Sequence, residues 1–226
     1  MLSFAEFKRA LNFSQPKLEF FENDGNFLAV GTYCLNDGPH VDGAIEEFDV
    51  LIAADENYPR SEPVLQEKAG RFPRDIDRHV YSTGTCCTCV WAEWLETSDD
   101  TSFAAFCGGP IRDFFLSQLH FEQEGDWPFG ERKHGAEGLA ESVSRILGFR
   151  VTPIQALNHL KALTGGPPKG HWMCVCGSGL KARDFSFEHI EAVRARTDRE
   201  NLVLLRDSLR SQLRLRRASL TRGSAR

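Results

Sequence analysis

Apolar residues follow two different spacings along the first part of the chain. Between residues 4 and 13 they recur at helical spacing, and Ser3 and Glu6 occupy the positions of a capping box, so a helix is predicted there. The apolar segments at residues 18–21 and 27–35 flank an Asn-Asp-Gly-Asn sequence, which is typical of a β-hairpin turn. We therefore expect one helix followed by antiparallel strands.

More strands and then several helices are predicted downstream. The segment FDVLIA, residues 48–53, indicates a more buried third strand, and residues 64–66 indicate a short fourth strand after Pro63. Apolar residues return to helical spacing in four segments, residues 103–124, 139–147, 153–163 and 187–215. Pro110 is a candidate first-turn residue in the first of these segments, and Gly148 ends the second. The third segment has Thr152 as its N-cap and Pro153 as its first helical residue. This order predicts an α+β fold, with an antiparallel sheet of about four strands, flanking helices and a helical C-terminal extension.

Length and composition indicate a folded protein of modest size. The 226 residues are 41% hydrophobic and 26% charged, which suits one domain of about 150 residues and a smaller appendage. A turn-rich segment of Gly, Pro and Lys at residues 165–170 follows one predicted helix. We predict a domain over residues 1–150 and a helical extension over residues 151–226.

The location predicted from the sequence is the cytoplasm. No run approaches the roughly 20 apolar residues that span a bilayer, and charges interrupt the apolar residues at the N-terminus, unlike a secretory signal. Seven cysteines are an odd number, and the adjacent pair Cys86-Cys87 is a poor disulfide framework. Both features favour a reducing compartment, with free thiols or a metal site.

The segment RHVYSTGTCCTCV, residues 78–90, concentrates three of these cysteines around a glycine. It follows a predicted strand and a Tyr-Pro turn, so it has the composition of a loop that presents a thiol. The thiolate is the nucleophilic form of cysteine, and such loops are where reactive thiols occur. Cys87 is our leading candidate for a nucleophile, while Cys86 and Cys89 remain alternatives.

The order of residues around this loop resembles bacterial ubiquitin-conjugating-enzyme-like proteins. In that family a strand leads to a Tyr-Pro turn and a further Pro, then to a His-Pro-Asn element and a Gly-x-x-Cys before a Trp. The matching residues here are Tyr58-Pro59, Pro63, His79, Gly84 to Cys87, and Trp91 or Trp94. The resemblance covers roughly residues 1–150 and implies the ubiquitin-conjugating (UBC-like) fold.

The resemblance implies a transferase that works through a cysteine thioester. An activating enzyme would deliver a ubiquitin-like modifier to Cys87, and a target amine would then receive it, as in bacterial ubiquitin-like or antiphage defence pathways. The target would be a protein, for which a defence nucleotidyltransferase is one candidate. No cofactor is expected to be required, and no membrane partner is expected.

One position departs from the family pattern. The family's Asn, which supports the oxyanion or the loop, falls at Tyr81, whose hydroxyl has a different reach. Thr85, Thr88 or backbone N–H groups could substitute for it. For His79 we expect a backbone hydrogen bond that holds the loop more than a role in acid–base catalysis.

A second cysteine motif, HWMCVCGSGLKARDF at residues 171–185, resembles a short zinc-binding tail (SEC-C-like) with the pattern Cys-x-Cys-Gly-Ser-Gly. The family's second ligand pair would fall at Phe185 and Ser186, which cannot hold zinc, so the motif is degenerate. If zinc were bound, the ligands available would be Cys174, Cys176, His171 and His189. The alternative is a metal-free turn.

Two other functions compete with acyl transfer. A UBC-like binding or scaffold module without catalytic activity is the first, because the supporting Asn is missing. The second is nucleic-acid binding through the Arg-rich C-terminal end, whose acidic residues are only Asp198, Glu200 and Asp207. The absence of interleaved aromatic residues past Phe187 argues against a nucleic-acid partner, and a solvated helix explains the arginines more simply.

Overall fold

The computed structural model of the chain describes residues 1–12, 14–36, 45–128, 130, 133–166, 169–175, 177–184 and 187–223. By their contacts these residues form two compact units. The first contains Met1–Cys89 and Asp99–Glu131, and the second contains Val90–Ser98 and Arg132–Arg226. The division describes packing, and the domain boundary predicted at residue 150 stays a prediction.

The described part of the chain confirms the α+β class, with a four-stranded antiparallel sheet. The strands are β1 Leu18–Asn23, β2 Asn26–Leu35, β3 Glu46–Asp55 and β4 Val64–Glu67, paired in the order β1-β2-β3-β4. The helices are α1 Phe4–Asn12, α2 Trp91–Thr97, α3 Phe103–Phe106, α4 Arg112–Glu124, α5 Gly135–Leu147, α6 Pro153–Thr164, α7 Phe187–Arg196 and α8 Arg199–Gly223.

The first unit begins with the predicted capped helix and hairpin. The Ser3 N–H and hydroxyl donate to Glu6 Oε2 at 2.9 and 2.6 Å, and the Glu6 N–H donates to Ser3 Oγ at 3.3 Å, so the capping box is confirmed. Asp24 and Gly25 form the two-residue turn with φ of 47° and 73°, the left-handed conformation that such turns require. The predicted hairpin is therefore confirmed, and the predicted last residue of α1, Phe13, lies outside the described residues.

The long helical segment of the first unit differs from the prediction at Pro110. The helix begins at α3, where Ser102 Oγ accepts a hydrogen bond from the Ala105 N–H, and continues through a π-helical turn at Cys107–Ile111 into α4. Pro110 therefore lies inside this turn and does not start a helix. The wider i→i+5 pattern accommodates a residue that has no N–H to donate.

Aromatic rings fill the space between this segment and the sheet. Phe7 and Phe103 stack with ring centroids 4.9 Å apart, and Phe48 and Phe115 stack at 4.2 Å. All four side chains are buried. Such pairs contribute about 0.5–1.5 kcal/mol each beyond the area that they bury, so the first pair holds α3 against α1 and the second holds α4 against β3.

The second unit is a group of helices around an aliphatic core. The core includes Val143, Leu147, Leu160 and Leu205, all buried. The buried Glu93 of α2 pairs with Arg145 of α5 at 2.7 Å. The helix α2 was not predicted, and it joins this unit although it directly follows the cysteine loop.

The predicted cap of α6 is confirmed, whereas the predicted last helix is wrong. Thr152 Oγ1 accepts from the Gln155 N–H at 3.4 Å, and Pro153 is the first helical residue. The segment predicted as one helix is divided into α7 and α8, because Asp198 Oδ1 accepts from the Glu200 N–H at 2.7 Å and caps a new helix.

Arginines of α7 and α8 bind the C-terminal ends of other helices in this unit. Arg196 donates to the Ile146 carbonyl at 2.7 Å, Arg194 donates to the Gly165 carbonyl at 2.6 Å, and Arg199 donates to the Thr164 carbonyl at 3.0 Å. Carbonyls at a helix C-terminus carry partial negative charge and lack helical partners. These arginines therefore have structural roles. Within the described residues, no helix is long and apolar enough to cross a membrane.

Candidate functional site

The cysteine loop is held against the edge of the sheet by a small hairpin of its own. Val80 and Cys86 form an antiparallel bridge, and the Gly84 N–H donates to the Tyr81 carbonyl at 2.8 Å to close the turn. The Cys86 N–H donates to the Leu65 carbonyl of β4 at 2.8 Å. The loop is therefore paired with β4 at the edge of the sheet.

The backbone of His79 fixes the start of the thiol segment. Its carbonyl accepts a hydrogen bond from the Cys87 N–H at 2.8 Å, while its φ of 53° is left-handed, which is uncommon for a residue with a side chain. Its ring lies edge-on to Trp127, with centroids 4.9 Å apart. The hydrogen bond expected from His79 is thus present.

A buried glutamine of α4 holds the residue before His79. Gln118 is fully buried, and its Oε1 accepts from Arg78 Nη2 at 2.8 Å and from Nε at 3.3 Å. Its Nε2 donates to the Arg78 carbonyl at 2.7 Å, and the guanidinium lies 4.4 Å from the ring centre of Phe121. Both the side chain and the backbone of Arg78 are therefore anchored.

The three thiols of the loop have different surroundings. Cys86 is buried, and burial raises the pKa of its thiol to about 12, so almost no thiolate forms there at neutral pH. Cys87 and Cys89 are only partly buried. The Cys87 Sγ lies 4.0 Å from the Cys89 carbonyl oxygen. Among these three cysteines, burial disfavours Cys86 as a nucleophile.

Tyr81 and Cys87 are brought together by the hairpin. The Tyr81 side chain forms a hydrogen bond with the Cys87 side chain. Desolvation by neighbouring atoms, this hydrogen bond, and the charges of Cys87 and Glu62 raise the pKa of the Tyr81 hydroxyl above its usual value, although 45% of the residue's surface is exposed. Tyr81 therefore stays protonated and is a hydrogen-bond donor beside the thiol.

Glu62 is a member of this group that the sequence did not reveal. Its charge is the smallest of the four effects that raise the pKa of the Tyr81 hydroxyl, so the carboxyl acts on the same group as Cys87. A large part of the Glu62 surface is exposed, yet neighbouring atoms desolvate the carboxyl and raise its pKa. In the sequence, Glu62 was marked only by its position between the Tyr58-Pro59 turn and Pro63. Gln118 and Trp127 gave no signal, because their contacts depend on tertiary packing.

The remaining described cysteines of the first unit are structural by their burial. Cys34 lies in β2, and Cys107 lies in the π-helical turn, where burial raises the pKa of its thiol. Both Cys89 and Cys107 affect the pKa of the Tyr58 hydroxyl, so both lie near that group.

The second cysteine motif does not assemble a metal site within the described residues. These residues contain no group of three or more His, Cys, Asp and Glu side chains that could hold a metal ion. Cys174 is buried and its N–H donates to the Leu180 carbonyl at 2.8 Å. His189 packs its ring at 5.3 Å from that of Phe149, His171 is exposed, and Cys176 lies outside the described residues. The three candidate ligands that the structure describes do not form a zinc site among themselves.

Comparisons with known proteins add no assignment. A scan against models of protein families, a search of curated proteins and a search of solved structures each gave no match for this chain. The function is therefore inferred from the loop geometry and from the order of its residues.

Proposed function

We propose that this protein is a ubiquitin-conjugating-like transferase that carries a ubiquitin-like modifier as a thioester on Cys87. The contact between Tyr81 and Cys87 is the main support, because it puts a hydrogen-bond donor beside the one partly exposed thiol whose backbone is clamped by His79. The order of a capped helix, four antiparallel strands and a cysteine loop at the sheet edge also agrees with the resemblance.

The first chemical step is thioester exchange. The Cys87 thiolate attacks the thioester carbonyl that joins the modifier to an activating enzyme, a tetrahedral oxyanion forms, and the thiolate of the activating enzyme leaves. The acyl group is already activated, so this step requires positioning and oxyanion stabilisation more than a strong base.

Tyr81 is suited to stabilise that oxyanion. In the resting loop its hydroxyl is hydrogen-bonded to the Cys87 side chain. When the sulfur becomes bonded to carbon, it is a weaker acceptor, and the new oxyanion is two bonds away from that sulfur. Rotation of the hydroxyl then gives the oxyanion a donor at roughly 3 Å. This would let Tyr81 serve where the family has Asn.

In the second step a neutral amine of the protein target attacks the Cys87 thioester. An isopeptide bond forms, the Cys87 thiolate leaves, and the amine loses a proton to water or to the Glu62 carboxylate. A raised pKa makes that carboxylate a better proton acceptor than an ordinary one. The partners are a modifier, an activating enzyme and a protein target in the bacterial cytoplasm, and a defence nucleotidyltransferase is the target to test first. No role for zinc is included.

Trapping the modifier in native cells tests this proposal. The tagged protein is isolated at acidic pH without reductant, and its intact mass is compared before and after treatment with hydroxylamine. We expect a protein-sized adduct that hydroxylamine removes, because hydroxylamine cleaves thioesters and leaves disulfides intact. The Cys87→Ser variant should retain an adduct that resists reductant, since an oxyester replaces the thioester.

Three variants distinguish the alternatives. Cys34→Ser removes a thiol outside the loop and should leave the adduct unchanged. If Cys87→Ala retains a hydroxylamine-sensitive adduct, the nucleophile is another cysteine, whereas no adduct in any variant favours a binding module without catalytic activity. Tyr81→Phe should reduce the rate of adduct formation while leaving the fold intact.

A further inference from the structure

Cys87 and Cys89 form a pair of accessible thiols within a single tripeptide, Cys-Thr-Cys. Both are partly exposed, whereas Cys86 is buried in the hairpin and its backbone is bonded to β4. The Cys87 Sγ is 4.0 Å from the Cys89 carbonyl, and the Cys89 Sγ is 4.0 Å from the Thr88 hydroxyl. Neither Cys87 nor Cys89 forms a disulfide in the described structure.

The chain length allows these two thiols to join. Cα atoms two residues apart are separated by at most roughly 7 Å, even in a fully extended chain. Disulfides occur up to Cα separations of about 6.8 Å, so only a small contraction is needed. A bond across so short a loop is strained, and strained disulfides are the easily reduced ones that serve regulation more often than stability.

We infer that Cys89 is a resolving cysteine, which forms a reversible disulfide with Cys87 under peroxide and switches the acyl carrier off. The consequence for acyl transfer rests on the proposed function, but the disulfide itself does not.

The chemistry proceeds in two balanced steps. The Cys87 thiolate attacks hydrogen peroxide, the O–O bond breaks, and sulfenic acid and hydroxide form. The Cys89 thiol then attacks the sulfenic sulfur, the S–O bond breaks, and water leaves. Together, two thiols and one peroxide give one disulfide and two waters. A cellular dithiol restores both cysteines by exchange.

Burial and location favour Cys89 over the other thiols as the partner. Cys86 keeps its side chain in the core and its N–H on the Leu65 carbonyl, so pairing with Cys87 would disrupt the hairpin. Cys107 is buried in the π-helical turn near Tyr58, which makes a bond between Cys89 and Cys107 the main competing product.

Peptide mapping of the purified chain tests the pairing without any modifier. The protein is treated with hydrogen peroxide, its remaining thiols are blocked with N-ethylmaleimide, and it is cut with trypsin and a Glu-specific protease. The peptide His79–Glu93 then contains Cys86, Cys87 and Cys89 but not Cys107. We expect this peptide to carry an internal disulfide and to lose about 2 Da, the mass of two hydrogen atoms.

Variants assign the bond. Cys86→Ser should keep the disulfide, whereas Cys89→Ser should lose it and should give a sulfenic acid on Cys87 that dimedone traps. A disulfide that disappears in Cys86→Ser, or that links the loop peptide to Cys107, overturns the assignment.

Function is measured separately. Peroxide added to the cells should abolish the hydroxylamine-sensitive adduct of the wild-type protein, and the adduct should return once peroxide is removed and cellular dithiols have reduced the disulfide. In Cys89→Ser the loss should be irreversible, because Cys87 oxidises further to sulfinic acid. Equal recovery in both proteins would refute a protective role for Cys89. If no adduct forms in any sample while the disulfide does, the proposed function fails and the pairing stands.

Discussion

Replacing Gln118 with Leu should destabilise the first unit and loosen the cysteine loop. Gln118 accepts two hydrogen bonds from the Arg78 guanidinium and donates one to the Arg78 carbonyl, all at 2.7–3.3 Å. Buried hydrogen bonds contribute about 1 kcal/mol each and somewhat more when one partner is charged. Leu offers no replacement, so we expect a loss of about 3 kcal/mol in the free energy of unfolding.

The chain contains a matched control for this variant. The buried Gln15 brackets Cys34 in the same way, donating to its carbonyl at 3.0 Å and accepting from its N–H at 2.6 Å. Gln15→Leu should therefore cost about 2 kcal/mol, from two bonds. It removes no contact of the cysteine loop, so adduct formation should persist under conditions where the protein stays folded.

Two measurements separate the variants. Urea denaturation gives the free energy of unfolding, and hydrogen exchange reports the Cys87 N–H, which is bonded to the His79 carbonyl. We expect Gln118→Leu to speed exchange of this amide by more than the global loss of stability explains, and Gln15→Leu not to. A cost below about 1 kcal/mol, or equal exchange of the Cys87 amide in both variants, would refute the anchoring role of Gln118.

Three further predictions follow from burial and backbone geometry. Desolvation by burial and the charge of His189 lower the pKa of His159, although a hydrogen bond to the Gln155 backbone raises it. The unfolded chain therefore binds more protons than the folded one, and the free energy of unfolding should fall as the pH drops below about 6.5. His159→Leu should flatten this pH dependence in urea titrations, and an unchanged slope would contradict the prediction. N-ethylmaleimide should label Cys87 before Cys86, because Cys86 is buried and its pKa is raised to about 12; equal labelling rates by mass spectrometry would contradict this order. Gly31→Ala should lower the free energy of unfolding by about 2 kcal/mol or more, since a Cβ would lie 2.5 Å from the Lys17 carbonyl oxygen and φ is 134°. A Cβ at Gly108 would meet no atom within 4 Å, so Gly108→Ala should unfold at nearly the wild-type urea concentration.

Local signals accounted for the parts of the fold that the sequence predicted. Ser3 with Glu6, the Asp24-Gly25 turn and Thr152-Pro153 each satisfy backbone groups within a few residues, so their effect is visible in the sequence. The helix α2 was missed because it has only seven residues, and its contacts come from distant helices. The break at Asp198 was missed although an N-cap residue stood there, because apolar spacing continues on both sides.

The candidate site was only partly predictable for a similar reason. The cysteines and the glycine marked the loop, and burial then distinguished Cys86 from Cys87. The contact of Tyr81 with Cys87 depends on the turn that begins at Tyr81 and closes at Gly84, and the charge of Glu62 acts on Tyr81 from a separate segment. Pairings across segments depend on tertiary packing, which no local pattern in a single sequence reports.

Each of the two units consists of two separate segments of the chain, which limits what truncated proteins can show. The backbone leaves the first unit after Cys89, returns at Asp99 and leaves again after Glu131, so a single proteolytic cut cannot release either unit whole. A chain shortened at residue 150 would also strip α6 and α8 from the aliphatic residues of α5, such as Val143 and Leu147. Deletions in this protein would therefore expose core residues, and any loss of activity would reflect unfolding. Point substitutions are the better way to separate the function of the cysteine loop from that of the helices.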